Sequence, residues 1–394
     1  MQKENYFLKT YKRYDVVFVK GSGKYLFDDK NKKYLDFFSG LSVTNLGHCN
    51  KRLLRALQKQ SQLLWHASNL FYTKPQILLA KELIRRTFKS KIFFSNSGAE
   101  ANECAIKLAR IIEAKKTHFK KEKRYEIITF KNSFHGRTLA TLTATGQKKF
   151  HKGFEPLIKG FKYAKFNDID SVKKLITSKT CAVMVEPIQG EGGIIPANKD
   201  FLHQLRELCD KYDLLLIFDE IQTGYGRTGE LFAYQYYGVK PDVITIAKSI
   251  ANGLPLGVTL VDEKYANAFD YGEHGSTFGG NLLSCQVGYY VLKLINRRLL
   301  NNVKVVGEYF FNRLNDLKQK YNFIVEVRGV GLMLAMELSF PARKVVEDCL
   351  KEGLVINVTQ NNVLRFLPPL IINKEDVDLA VEILDKVLYK IKNN

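Results

Sequence analysis

The sequence predicts an α/β protein built on a largely parallel sheet, with a smaller α+β domain after it. Three observations carry that prediction. Short, continuously apolar runs recur through the first two-thirds of the chain, as strands buried on both faces require. Amphipathic helical stretches separate several of them, for instance over 201–212, and that alternation implies parallel strands joined by crossovers. From about residue 286 the rhythm changes to long helices and shorter strands.

The elements follow in order. DVVFVK and KYLFD flank GSG at 21–23, which reads as a β-hairpin with a glycine turn. Residues 51–64 read as a helix. The buried strands are KIFFSN (91–96), EIITF (126–130), CAVMVEP (181–187), LLLIFDE (214–220), DVITIA (242–247) and GVTLVD (257–262). Helices span roughly 286–320, followed by VRGVGLMLAMEL (327–338), GLVINV and NVLRFLPPL (362–370). A last helix starts near Asn373, with Val377, Ala380, Val381, Leu384 and Leu388 at helical spacing. The expected division is an N-terminal segment, 1–45, packing with the small domain; a large domain, 46–285; and a C-terminal small domain, 286–394.

Composition bounds the function. The chain has 394 residues, large for one core. It holds no apolar stretch long enough to span a bilayer and opens on MQKENYFLKTYKRY, which has no apolar signal core. A cytoplasmic protein without a membrane partner is expected. The six cysteines are scattered with no C-x-x-C pair, so neither a disulfide framework nor a metal site is expected. The formal charge of +21 is spread through the chain, as in KKTHFKKEKR (115–124), and no basic module stands apart. It reads as solvated lysine faces rather than a nucleic-acid surface; it would also suit phosphorylated cofactors and dicarboxylates.

Several motifs could carry chemistry. In SNSGAEANECAIKLAR (95–110) a strand ends, Ser97 and Glu100 form a capping box, and a small turn opens a helix N-terminus. Free amides and the dipole there suit an anion, and Gly98 would let a phosphate near the backbone. Alone, the segment is an ordinary βα turn. In FDEIQTGYGRTG (218–229), Asp219 and Glu220 close an apolar strand, where they either hold a cationic ring nitrogen or cap and ion-pair. Lys248, in ITIAKSIANGLPLG (244–257), also closes an apolar run. A lysine amine in a dry site becomes a nucleophile towards aldehydes. An Asp for a pyridinium nitrogen would complete what a pyridoxal phosphate enzyme needs; alone, Lys248 would simply snorkel to solvent. FKNSFHGRTLATLTATG (130–146) offers Phe134 to stack on a flat ring, Arg137 to fork onto a carboxylate, and His135, which could equally pack and bond locally. VEPIQGEGG (185–193) adds Glu186 and Glu191, and HGSTFGGN (274–281) adds Ser276 and Thr277.

Taken together, SNSGAEANE, FHGRT, VEPIQGEGG, FDEIQTGYGRTG, AKSIANGLPLG, STFGGN and LRFLPP resemble the class III aminotransferases, in family order and over about residues 10–390. NLGHCN (45–50) and HASNLFYTKPQ (66–76) are similar to the branch acting on acetylated diamino acids. Leu41, where enzymes of free ornithine usually carry tyrosine, points the same way. The resemblance implies fold type I of the pyridoxal phosphate transferases, with a mostly parallel seven-stranded sheet, pyridoxal 5'-phosphate as cofactor and 2-oxoglutarate as amino acceptor. It implies that Lys248 carries the cofactor and then shuttles a proton, and that Asp219, beside His135, keeps the ring nitrogen protonated. Phe134 and Ile221 would sandwich the ring, and Gln222 would touch its phenolic oxygen. Ser97, Gly98 and Ala99 would hold the phosphate, joined by Thr277 from the second subunit of a homodimer. Arg137 and Arg365, with Ser276 nearby, would bind substrate carboxylates. Glu191 would pair with Arg365 until a dicarboxylate displaces it. The same fold also hosts aminomutases, decarboxylases and racemases, which need no oxo-acid acceptor.

Overall fold

The computed structural model describes residues 6–119 and 124–393; residues 1–5 of the N-terminal stretch and 120–123 of the basic run lie outside it. At its centre is a seven-stranded sheet: β1 (Ser90–Ser95), β2 (Glu126–Phe130), β3 (Phe161–Ala164), β4 (Thr180–Val185), β5 (Leu215–Asp219), β6 (Val243–Ile246) and β7 (Gly257–Asp262), in the spatial order β1-β7-β6-β5-β4-β2-β3. The middle strands are buried along their whole length, which is why they read as unbroken apolar runs.

Two features differ from the sequence expectation. First, GVTLVD runs antiparallel to both of its neighbours, β6 and β1. Only residues 247–256 separate β6 from β7, fewer than a crossover needs, so the chain must double back. Second, β3 was not legible. It is an edge strand of sequence FKYA, half-buried and alternating with a lysine, so it lacks the apolar run that marks the others.

A second core forms around the helices Arg297–Lys320 and Lys374–Lys392 and a four-stranded antiparallel sheet. That sheet is made by Ile324–Val330, Met333–Leu338, Val363–Phe366 and Asn357–Thr359. Leu35 and Phe37 of the N-terminal strands join this core, and strand Lys33–Asp36 pairs with Leu354–Val355. The junction expected at 285/286 falls inside one helix, Leu282–Leu294. Cys285, Val287, Val291 and Leu292 of that helix all pack in the larger core. Its apolar periodicity runs on towards the next helix across only residues 295–296, so the sequence pattern marks no break where the cores divide.

Arg227 bolts the two cores together. It is fully buried, and among the described residues no carboxylate pairs with its guanidinium. It donates instead to Ser42 Oγ (2.9 Å) and to the carbonyls of Leu332 (2.9 Å) and Pro368 (2.5 Å). Among the described residues no helix is long and apolar enough to cross a membrane.

Candidate active site

Strands that run the same way present their carboxyl ends on one side of a sheet, and ligands of open α/β sheets sit there. The loops leaving β1, β2, β4, β5 and β6 here surround a cavity of about 420 Å³, within the roughly 300–1,000 Å³ usual for small-molecule sites. Ser97, Gly98, Ala99, Phe134, His135, Arg137, Glu191, Asp219, Ile221, Gln222 and Lys248 all line it, drawn from positions up to 151 apart in sequence.

Lys248 does not end the strand but opens a short 3-10 turn, Lys248–Ala251, two residues beyond β6. Its φ is +50°, a left-handed conformation that costs a non-glycine residue energy and is held here by its surroundings. The turn closes on Asn252, whose Oδ1 accepts from Leu46 N (2.8 Å) and whose Nδ2 donates to the Gly47 carbonyl (3.0 Å). Burial holds the Lys248 amine below its ordinary pKa, and Glu191 works against that shift.

The adjacent acids at the end of β5 separate cleanly. Glu220 is buried and capping: it accepts from Ala233 N (2.6 Å) and Tyr234 N (2.8 Å), and burial pushes its pKa up to about 7. Asp219 faces the cavity. Its Oδ2 accepts from His135 Nδ1 (2.8 Å) and Asn102 Nδ2 (2.8 Å), and its Oδ1 from Ile221 N (3.1 Å). His135 therefore does local bonding, and the group it bonds is Asp219.

Ser97 caps the helix Gly98–Lys116, its Oγ accepting from Glu100 N (3.2 Å), while the Glu100 carboxylate reaches back to Asn96 N (2.9 Å) rather than to Ser97 N. A Cβ on Gly98 would stand 2.7 Å from Ile221 Cδ1, so only glycine leaves this cradle open. Phe134 and Arg137 share one wall, where the guanidinium lies over the rings of Phe150 (4.1 Å) and Phe134 (5.4 Å). Arg137 is exposed, and among the described residues no carboxylate holds its donors.

Arg365, in the strand Val363–Phe366, is 1% exposed and stands behind Glu191. Its Nη1 bonds Glu191 Oε1 (2.6 Å) and the Gly190 carbonyl (3.3 Å), and its Nε bonds Asn357 Oδ1 (3.0 Å). The pair holds the Glu191 carboxyl below its usual range in spite of burial. Gln222 Oε1 is 3.4 Å from the same Nη1.

Ser276 and Thr277 are not brought into this cavity. Ser276 Oγ bonds Asn96 Nδ2 (3.3 Å) and Gly279 N (2.9 Å) from outside, and Thr277 is exposed. Leu41 is also absent from the lining, which Val43 joins instead. Two residues carry more than the sequence reading gave them. Asn102 is a buried amide on the inner face of its helix, and that lone polar residue among Ala101, Cys104 and Ala105 was the available signal. Glu186 was legible only as a strand-end carboxylate. It is buried in the cavity wall, accepting from Phe134 N (2.9 Å) and Gly190 N (3.2 Å). Burial pushes its pKa up to about 7, His135 pulling it down and Asp219 adding to the rise.

The sequence matches the family "Aminotransferase class-III" over residues 6–388. The chain belongs to the class III aminotransferases. An acetylornithine aminotransferase of Methanocaldococcus jannaschii is 48% identical over 392 residues, covering 99% of this chain and 98% of the relative. The crystal structure of N-acetylornithine aminotransferase from Stenotrophomonas maltophilia superposes with a TM-score of 0.85 at 35% identity, covering 97% of this chain and 98% of that one. The ornithine aminotransferase of Toxoplasma gondii, crystallised with PLP in partial occupancy, gives a TM-score of 0.94 at 30% identity, covering 98% and 93%. This class III aminotransferase is a pyridoxal phosphate enzyme of α/β fold. The donor set fits that cofactor: an open glycine cradle at a helix N-terminus for phosphate, a buried carboxylate for a ring nitrogen, and a lysine with a lowered pKa.

Proposed function

We propose that this enzyme moves the δ-amino group of N2-acetyl-L-ornithine to 2-oxoglutarate, giving N-acetylglutamate 5-semialdehyde and glutamate, in the cytoplasm. The observation that carries the reading is the ion pair of buried Arg365 with half-buried Glu191 at the cavity edge. An amino donor with no carboxylate at that end meets a neutral wall. A dicarboxylate acceptor can displace Glu191 and take the bidentate donors of Arg365. One pocket thereby serves two unlike substrates in turn.

When bound, pyridoxal phosphate supplies an aldehyde that takes up the amino group and a ring that draws electrons from the carbon bearing it. The other roles fall to the protein. Lys248 Nζ would hold the cofactor and, as a free amine, would carry the proton between the two carbons. The Asp219 carboxyl would face the ring nitrogen and hold its proton, with His135 and Asn102 fixing its orientation. Phe134 and Ile221 close on the two faces, and Gln222 contacts the phenolic oxygen. Ser97, Gly98 and Ala99 take the phosphate, and Arg137 takes the donor's α-carboxylate.

The active unit in this reading is a homodimer, with Thr277 and Ser276 serving the cavity across the interface. Support comes from an apolar band beside them: Leu70 is 89% exposed, Phe71 68%, Tyr72 96% and Phe278 61%. Asn69 Nδ2 ties this band to the 276–279 loop through the Ser276 (2.9 Å) and Gly279 (3.0 Å) carbonyls.

The test is turnover of purified protein with acetylornithine and 2-oxoglutarate, following glutamate formation. A panel including ornithine, N-succinyl-diaminopimelate, N2-succinylornithine and 4-aminobutyrate ranks the donors. No turnover with acetylornithine beside turnover with 4-aminobutyrate would move the enzyme to a sister activity. Product formed without an oxo-acid acceptor would replace transamination altogether.

A further inference from the structure

Among the described residues Glu186 forms no hydrogen bond to Arg365 or Lys248, yet it ties two walls of the site together. Phe134, whose N–H it accepts at 2.9 Å, belongs to the wall that also carries Arg137. Gly190, whose N–H it accepts at 3.2 Å, is the residue before Glu191. The bend after Gly190 is gripped from the other side by the second core. Arg365 donates to the Gly190 carbonyl (3.3 Å), Thr359 Oγ1 (2.7 Å) and Gln360 Nε2 (2.6 Å) donate to the Glu191 carbonyl, and Arg328 Nε donates to the Gly193 carbonyl (3.0 Å). Those four bonds pull the bend towards the second core; the Glu186 bond holds it to the large sheet.

We propose that Glu186 is a positioning residue for the anion-accepting half of the reaction: its carboxylate fixes the Gly190 backbone so that Glu191 leaves Arg365 by side-chain rotation alone, while the Phe134 wall keeps its spacing from that gate. This inference rests on the proposed function for the two half-reactions. The physical ground is that the Glu191 side chain and the Gly190 carbonyl share one nitrogen of Arg365. If the backbone drifts when Glu191 departs, the guanidinium loses its alignment at the moment a substrate carboxylate arrives. A donor that leaves the Glu191–Arg365 pair closed makes no such demand.

The test uses the cofactor-loaded enzyme and glutarate, a dicarboxylate with neither amine nor ketone. Glu186→Gln keeps the shape but leaves one acceptor oxygen and turns an amide N–H2 towards the other backbone N–H; Glu186→Ala removes both acceptors. The expected result is that glutarate binds about tenfold more weakly to the Ala variant, the scale of one lost charge-assisted hydrogen bond, with Gln intermediate. KM for 2-oxoglutarate rises in parallel, kcat changes little, and the acetylornithine half-reaction moves less than about threefold. Amide hydrogen exchange in the peptide spanning 187–193 speeds up in both variants, a readout independent of turnover. Equal losses in both half-reactions, or unchanged glutarate affinity beside faster exchange, would overturn the inference. If the Ala variant does not fold, the Gln variant alone decides by the same criteria. Failure of wild-type enzyme to use acetylornithine would sink the proposed function, yet the glutarate comparison would still judge Glu186.

Discussion

Lys248→Met should do two opposite things. Turnover should vanish, because no other amine stands at that point of the cavity wall. The cofactor-free protein should become more stable, by about 1 kcal/mol, because a buried amine kept for function is replaced by a side chain that suits its surroundings. The pH dependence follows from the direction of the shift. The folded pKa of Lys248 lies below the ordinary 10.5, so between the two the unfolded chain binds more protons and wild-type stability rises with pH. The advantage of the variant should therefore shrink as pH climbs towards 10.5; urea midpoints at several pH values check this. Asp219→Asn keeps the shape and should leave the fold intact, but its single oxygen can serve either Ile221 N or the His135–Asn102 pair, with an amide N–H2 facing the other. It should lower kcat at least about a hundredfold, because the charge that holds the ring proton is gone. At this scale the sequence was informative where a residue type is chemically singular: an aspartate closing an apolar strand, or a lysine just past the end of one. It could not give the roles of Asn102 and Glu186, which lie in the carboxylate or backbone they meet, partners distant in sequence.

Gly98 is the point where an element, rather than a residue, does the work. Gly98→Ala would push a methyl against Ile221, which stands 2.7 Å from where that Cβ must go. The helix Gly98–Lys116 should survive, since alanine is the better helix former. Cofactor affinity should fall about tenfold or more, measured by titrating the cofactor-free protein, because the phosphate turn and a wall of the ring slot move together. Strands β2, β4, β5 and β6 were legible because burial on both faces writes itself as an apolar run, while β1 showed only as the short apolar stretch IFF. The edge strand β3 was not, since one open flank lets lysine alternate with aromatics. Direction was not legible for β7 either; only the shortness of 247–256 betrays it. The Ser97 turn was read correctly as a cap, and what raised it above an ordinary βα turn was its place opposite Asp219 and Lys248 in the fold.

The whole molecule carries the charge and the surface. With a formal +21, two chains that associate must overcome like-charge repulsion, so a dimer should be held by apolar area and should tighten with added salt. Tyr72→Lys, at a side chain 96% exposed in the apolar band, should shift sedimentation towards the monomer. It should also lower turnover in proportion to the dimer lost, if Thr277 serves a neighbouring cavity. A dimer that disperses with full activity retained would remove the shared-site part of the proposed function. Thr277 is exposed and lines no part of this cavity, so its proposed role rests wholly on a second chain. The Glu191–Arg365 pair is the opposite case: its partners come from different cores and only the assembled chain joins them.

Arg227 adds a consequence for how this molecule fails. A guanidinium with only neutral acceptors, spread over Ser42, Leu332 and Pro368, is satisfied by geometry alone. Neither core can keep it satisfied after the other has melted, so it acts as a thermal fuse that forces both to go together. Heating wild-type protein should give one sharp calorimetric peak. Arg227→Met should split that peak, and enzymatic activity should then disappear at the lower of the two temperatures while most of the helical signal remains.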